Sequence, residues 1–452
     1  MQTQPKPPSA KGHFLLGNLN DVNNNTLPFM RAVREYGDVV VARFGPFPFY
    51  ILNHPDPIHQ VLVTDADNYL KSRGTKRVMY PVVGNGLFTN DGDSWKRQRR
   101  LAQPAFHTKR IGAYAQVMVS YAEEMMRRWE DGQVYNMDQE MTSLTMNVIA
   151  RTLFDADIKN EAREIGEVII DALHLLNKRF SSLIPTPDWV PTADNRKMAQ
   201  TVKKIDELIQ KFIDDRRKSG EDKGDLLSML LLARDEDGTG QMTDKQVRDE
   251  AMTLFGAGHE TTAVALTWTW YLLSQYPEVE AKLHDELDAV LGGRKPTLED
   301  LTRLPYTEMI VKEAMRLYPP AFGTTREVID DGEIGGYPTK KGQTVYINIY
   351  GVHCDARFFP DPERFDPERF RPENEKQMHK YAYLPFGGGP RVCIGNAFAM
   401  MEARLLLATV AQQYHLKLAL GHQVIPERLF TLRPKYGMKM VPAKREPVQE
   451  LA

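Results

Sequence analysis

A mainly α-helical fold with a small β region is what this sequence predicts, and three observations predict it. Amphipathic helical periodicity dominates from about Asp56 onward. The β-like runs are confined to two stretches, near 37–55 and 325–350. One helix, starting near Thr243, is long enough to cross the molecule and turns from polar to apolar along its length. Length alone, at roughly 150 residues per domain, allows three domains; the pattern is read as a single domain over 1–452.

Residues 39–44 and 49–52 alternate as two strands around a Gly45-Pro46 turn. Amphipathic helices are predicted at 111–129, 141–154, 160–177, 199–218 and 225–234. Thr243 is the predicted N-cap of the long helix, which runs to Tyr276 before Pro277 stops it. A helix over 306–317 ends before Pro319-Pro320. A strand over 343–350, a proline-rich stretch over 359–372 and a last helix over 395–414 complete the chain.

The charges nearly cancel, 58 basic against 60 acidic, so nucleic acid is not the expected partner. Two cysteines, Cys354 and Cys393, are too few for a disulfide scaffold and point to a reducing cytoplasm. The polar, proline-rich N-terminus has neither a signal peptide's apolar stretch nor the ~20 apolar residues of a membrane span. A cytoplasmic monomer without a membrane anchor is the expectation.

Chemistry concentrates in a few motifs. Phe386-Gly387-Gly388-Gly389-Pro390-Arg391-Val392-Cys393-Ile394-Gly395 stands just before the last helix. Glycines permit a tight loop whose amides approach a ligand closely, and a cysteine ahead of a helix N-terminus is favoured as thiolate. A lone cysteine is ordinarily inert core, which is the reading kept for Cys354 between His353 and Asp355. In the long helix, Ala257-Gly258-His259-Glu260-Thr261-Thr262 groups poor helix formers, either to let helices pack closely or to make room beside an inward hydroxyl. Glu313 and Arg316 share a helix face at i,i+3 among apolar neighbours. Trp95 and Arg99 share another at i,i+4.

The ten-residue pattern FxxGxRxCxG resembles the haem-binding loop of the cytochrome P-450 superfamily. The other motifs resemble that family's AGxxTT, ExxR, WxxxR and PERF segments, in its order and over most of the chain. The resemblance implies a cytochrome P-450 fold with the long central helix over haem b (iron protoporphyrin IX), and Cys393 as axial ligand of the iron. It implies a propionate cradle of Trp95, Arg99, Arg326 and Arg391, with Phe386 and Gly258 also at the cofactor. Ala257 and Gly258 leave room for oxygen and substrate, Thr261 hydrogen-bonds oxygen species, and Glu260 joins the proton path. His259 is expected at the surface, turned away from Thr261. Glu313 and Arg316 are joined by an arginine of a PERF segment, Arg369, with Arg364 as the second choice.

The implied reaction is insertion of one oxygen atom from O₂ into a C–H bond, with two electrons from NAD(P)H. Because no flavin or iron–sulfur domain follows the haem portion, the donor is expected to be a separate ferredoxin or flavodoxin with its reductase. It would dock near Lys96, Arg97 and Arg100, in a basic run continued by Lys109 and Arg110. Walls are expected from Phe88, Val82, Val83, Leu87, Ala257, Phe322, Thr324, Phe430 and Thr431, mostly apolar, for a lipophilic substrate such as a fatty acid, terpenoid or steroid. Alternatives are a peroxide-driven peroxygenase, a haem-thiolate isomerase and a non-enzymatic haem sensor; the Glu260–Thr261 pair argues against them.

Overall fold

The computed structural model describes residues 5–159, 161–182, 186–232 and 241–445. Asn160 and Arg234, at the ends of two predicted helices, lie outside the described residues, as does the side chain of Lys109.

The small β region is assembled from distant segments. β1 (Val39–Phe44) and β2 (Phe47–Leu52) form a hairpin with Phe44 opposite Phe47, so β2 begins two residues earlier than predicted. With β3 (Tyr69–Leu70), β5 (Thr324–Val328) and β6 (Thr344–Ile347) they make one five-stranded sheet in the order β1-β2-β6-β5-β3. Leu52 pairs in parallel with Ile347, and Thr324 lies antiparallel to Ile347. The predicted strand 343–350 ends early because the Asn348 side chain caps a short helix, Ile349–His353.

A second sheet joins β4 (Tyr135–Asn136), β7 (Tyr414–Leu418) and β10 (Lys439–Lys444), and β8 (Pro426–Arg428) pairs with β9 (Leu432–Pro434) as a hairpin. Neither was predicted. The last helix therefore stops at Ala411, and Tyr414 belongs to a strand.

The helices that position the site are α1 (Arg73–Val83), α2 (Gly92–Ala102), α3 (Ala115–Met126), α4 (Met137–Phe154), α5 (Ala162–Ser181), α6 (Ala193–Ser219), α7 (Asp244–Gln275), α8 (Pro277–Leu291), α9 (Pro305–Leu317) and α10 (Asn396–Ala411). The predicted 111–129 helix is divided in two, Thr108–Gly112 and α3. The 32-residue α7 is capped as predicted: Thr243 Oγ1 accepts from Gln246 N, and Gln246 Oε1 accepts from Thr243 N. At ~1.5 Å per residue it runs about 48 Å, roughly one and a half times the diameter of a small domain. Pro277 both ends α7 and opens α8, where its missing N–H costs nothing.

The polar start of α7 is not simply solvated. Asp249 and Glu250 are buried, and their carboxylates accept the amides of Asn85 and Leu87, fixing the loop after α1. Among the described residues no helix is long and apolar enough to cross a membrane.

Candidate active site

A cavity of about 1580 Å³ opens between α7, α1, α5, the β8–β9 hairpin and the loop before α10. That exceeds the roughly 300–1,000 Å³ of ordinary small-molecule pockets and leaves room for a flat macrocycle beside a substrate. Thr261, Glu260, Ala257, Gly258, Cys393, Phe386, Trp95, Arg99, Arg326 and Arg391 all line it. So do Val82, Val83, Leu87, Phe88, Phe322, Thr324, Phe430 and Thr431. Further walls come from α5, through Leu173 and Leu176, and from Met79 and Met252. These walls were not legible in the sequence, because an ordinary apolar helix face carries no mark of what it faces.

Cys393 ends the loop that predicts it. Its N–H donates to Phe386 O at 3.0 Å, closing the turn. Gly389 has φ +66°, and a Cβ there would lie 1.8 Å from Leu62 O, so no side chain fits. Both cysteines are free; Cys354 is buried, whereas Cys393 opens onto the cavity. That space is protein interior, so desolvation pushes the Cys393 thiol up, while the Gly395 amide and Arg99 pull it the other way. A thiolate here calls for a cation on the cavity side of the sulfur, which suits a metal-bearing cofactor.

Beside this loop, cations gather with too few anions. Lys71 is held well below the usual lysine range by burial and by Arg326 and Arg391. Burial and the Arg391 charge bring Arg326 down to about 10. Asp91 is the nearby carboxylate, paired with Arg391 and Lys76 and accepting from Lys71 N. Arg391 also lies 4.2 Å over the Trp95 ring. The cluster fits a ligand with two acidic groups, as haem has. Arg99, which also lines the cavity, donates from Nη1 to Val392 O at 2.7 Å and so braces the cysteine loop directly. Lys71 was missed, since a single lysine before a helix carries no signal.

On α7, Thr261 Oγ1 donates to Ala257 O at 3.0 Å while facing the cavity. Gly258 serves the helix crossing, because a Cβ there would lie 2.7 Å from Ile149 Cδ1 of α4. His259, expected at the surface, is fully buried between α7 and α4; Nδ1 donates to Phe255 O at 2.7 Å, and the ring does not reach the cavity. The prediction failed because α4 covers the face of α7 opposite Thr261.

Glu260 is tied to the β8–β9 hairpin. Its oxygens accept from Thr431 Oγ1 (2.7 Å) and Arg433 Nη1 (2.6 Å), and not from Thr261. Burial raises its pKa, but Arg433 and His259 outweigh that and hold it below the usual range. Arg433 reaches on to both oxygens of Asp138 at 2.8 Å, and there burial wins and pushes the carboxyl up. On α10, Glu402 is wholly buried, and burial drives it far up, with the Thr262 hydroxyl opposing.

Behind the cysteine loop, Glu313 and Arg316 form a bidentate pair at 2.7 and 2.8 Å with both side chains fully buried. Arg369 Nε stands 3.4 Å from Glu313 Oε1, while Arg364 contributes only its carbonyl, to Arg316 Nη2. Arg316 Nη1 donates to His353 O, and His353 Nε2 accepts from Leu384 N at 2.9 Å, two residues before Phe386. The network therefore reaches the loop through His353.

A family model described as Cytochrome P450 matches residues 7–440. The chain belongs to the cytochrome P450 family. It is a P450 monooxygenase, an oxidoreductase, and its mainly helical architecture with a small β region is the P450 fold. It is 39% identical to cyclooctatin synthase of Streptomyces melanosporofaciens, over 96% of this chain and 94% of that protein. It is 35% identical to cyclooctat-9-en-7-ol 5-monooxygenase of the same organism, over 89% and 88%. Pentalenene oxygenase of Streptomyces avermitilis is 33% identical, over 96% of each chain. P450 membership implies a haem-thiolate iron centre, and the donor set around Cys393 is compatible with one.

Proposed function

We propose that this P450 hydroxylates a terpenoid hydrocarbon, using O₂ and two electrons from NAD(P)H through a separate ferredoxin- or flavodoxin-type donor in the cytoplasm. The balance is R–H + O₂ + NAD(P)H + H⁺ giving R–OH + H₂O + NAD(P)⁺. The observation that carries the reading is the large apolar-walled cavity ending on Cys393. The relatives named for cyclooctatin and pentalenene favour a terpenoid over a fatty acid or steroid.

Haem b would be held at its iron by Cys393 and at its propionates by Trp95, Arg99, Arg326, Arg391 and Lys71, and it would supply the oxygen chemistry when bound. The chain's own residues do the rest. Phe88, whose ring meets Phe430 edge-on at 5.6 Å, closes the cavity with Val82, Leu87 and Phe322, excluding water and orienting the hydrocarbon. Thr261 presents a hydroxyl to the cavity from the middle of α7. Glu260, whose carboxylate accepts from Arg433, lines the cavity one residue before Thr261 and would pass protons towards it. Glu313, Arg316 and Arg369 hold the loop rather than act on substrate.

Spectroscopy of the haem-loaded protein tests the reading. The carbon-monoxide complex of the reduced form should show a strongly red-shifted Soret band, and diterpene or sesquiterpene hydrocarbons should shift the ferric spin state. Response to fatty acids alone would overturn the terpenoid assignment. Turnover supported by hydrogen peroxide and not by ferredoxin with reductase would make the protein a peroxygenase. Thr261→Ala should divert reducing equivalents to peroxide.

A further inference from the structure

Far from the cysteine loop, Glu280 and His284 stand at i,i+4 on one face of α8, opposite His415 on β7. One ligand atom from each side chain lies within 4.8 Å of the others. Glu280 Oε2 is 3.1 Å from His415 Nδ1, and the two imidazoles meet edge-on at 4.6 Å between centroids. His284 is only 6% exposed, and its Nε2 is buried without any hydrogen-bond partner. A buried ring nitrogen left unpaired costs about 1–3 kcal/mol unless something binds it.

We propose that Glu280, His284 and His415 form a zinc site that ties α8 to the C-terminal sheet. Two imidazoles and a carboxylate are a zinc donor set, and at Zn–N of ~2.0 Å a tetrahedral site has ligands about 3.3 Å apart. The pair already at 3.1 Å meets that spacing, and a rotation of the half-exposed His415 ring closes the rest. The metal enters from the His415 side, where that side chain is 37% exposed. Zinc gives His284 Nε2 the partner it lacks. Asp288, one turn after His284, accepts from Arg445 Nη2 at 2.8 Å and so offsets part of that arginine's charge beside the site. The fourth position is left to water. The site is independent of the haem assignment and of the substrate proposal.

The test uses the haem-loaded protein, stripped with a chelator, dialysed against buffered zinc and analysed for metal and haem together. One zinc per haem should be retained, and the melting temperature should rise with zinc. His415→Ala and Glu280→Gln should each weaken zinc binding at least tenfold while leaving the haem spectrum unchanged. His284→Asn, the buried position, should do the same if it folds, and His415→Ala keeps the test decisive if it does not. No retained zinc would overturn the proposal. So would zinc held equally well by the His415→Ala protein, which would place it on other surface groups.

Discussion

At the scale of single residues, charge and burial decide more than motif membership. Arg433 is 3% exposed and is shared by Glu260 and Asp138. Removing one member of such a cluster strands the others, which typically costs about 3–5 kcal/mol. Arg433→Leu should therefore destabilise the protein by about that much in urea unfolding. Adding Glu260→Gln and Asp138→Asn should recover most of the loss, since no buried charge is then left over. The AGxxTT match marked Glu260 and Thr261, but nothing in it showed that Arg433, far along the chain, would take the carboxylate. His259 teaches the same lesson: its exposure depended on whether a second helix covers that face of α7.

At the scale of elements, two contacts of α7 carry predictions. Burial raises Glu250 from 4.5 to about 7, with the Leu87 amide pulling it down. The folded state thus binds more protons than the unfolded state between those values. Stability falls as pH rises through that window, and the penalty is complete above about 7. The effect is worth up to about 3 kcal/mol at ~1.36 kcal/mol per unit. Glu250→Gln keeps the acceptor for Leu87 N–H and should flatten the difference in unfolding free energy between pH 5 and pH 8, as measured by denaturant titration. The α7–α4 crossing is the second contact. Gly258→Ala gains up to ~1 kcal/mol of helix propensity but meets Ile149 Cδ1, and overpacking costs about 1–3 kcal/mol. A net loss is expected, and Ile149→Val, which deletes that methyl, should turn it into a gain in a double-mutant cycle.

At the scale of the whole molecule, one face joins the cysteine loop to the basic run of α2. A shallow pocket of about 730 Å³ is bounded there by Lys96, Arg99, Arg100, His107 and Arg110, and Arg99 bonds the carbonyl before Cys393. If an acidic donor docks on this face, its reduction of the haem should slow with ionic strength over the range in which the Debye length shrinks to ~8 Å. Stopped-flow reduction at rising salt measures this, with Lys96→Glu showing a weaker dependence. An unchanged rate would move the donor elsewhere.

What the sequence makes legible is local. Helical periodicity, the Thr243 N-cap, the glycines before Cys393 and the i,i+3 pairing of Glu313 with Arg316 depend on neighbours a few residues apart. It also grouped the cavity-lining residues it named, because their motifs resemble one family's. Tertiary structure alone decided what arrives from elsewhere: Lys71 beside Arg326 and Arg391, Arg433 on Glu260, His353 between Arg316 and the loop, and the second sheet that ends α10 early. The reason is physical. A charge's partner and a helix face's cover are set by packing between distant segments, and no spacing along the chain encodes them.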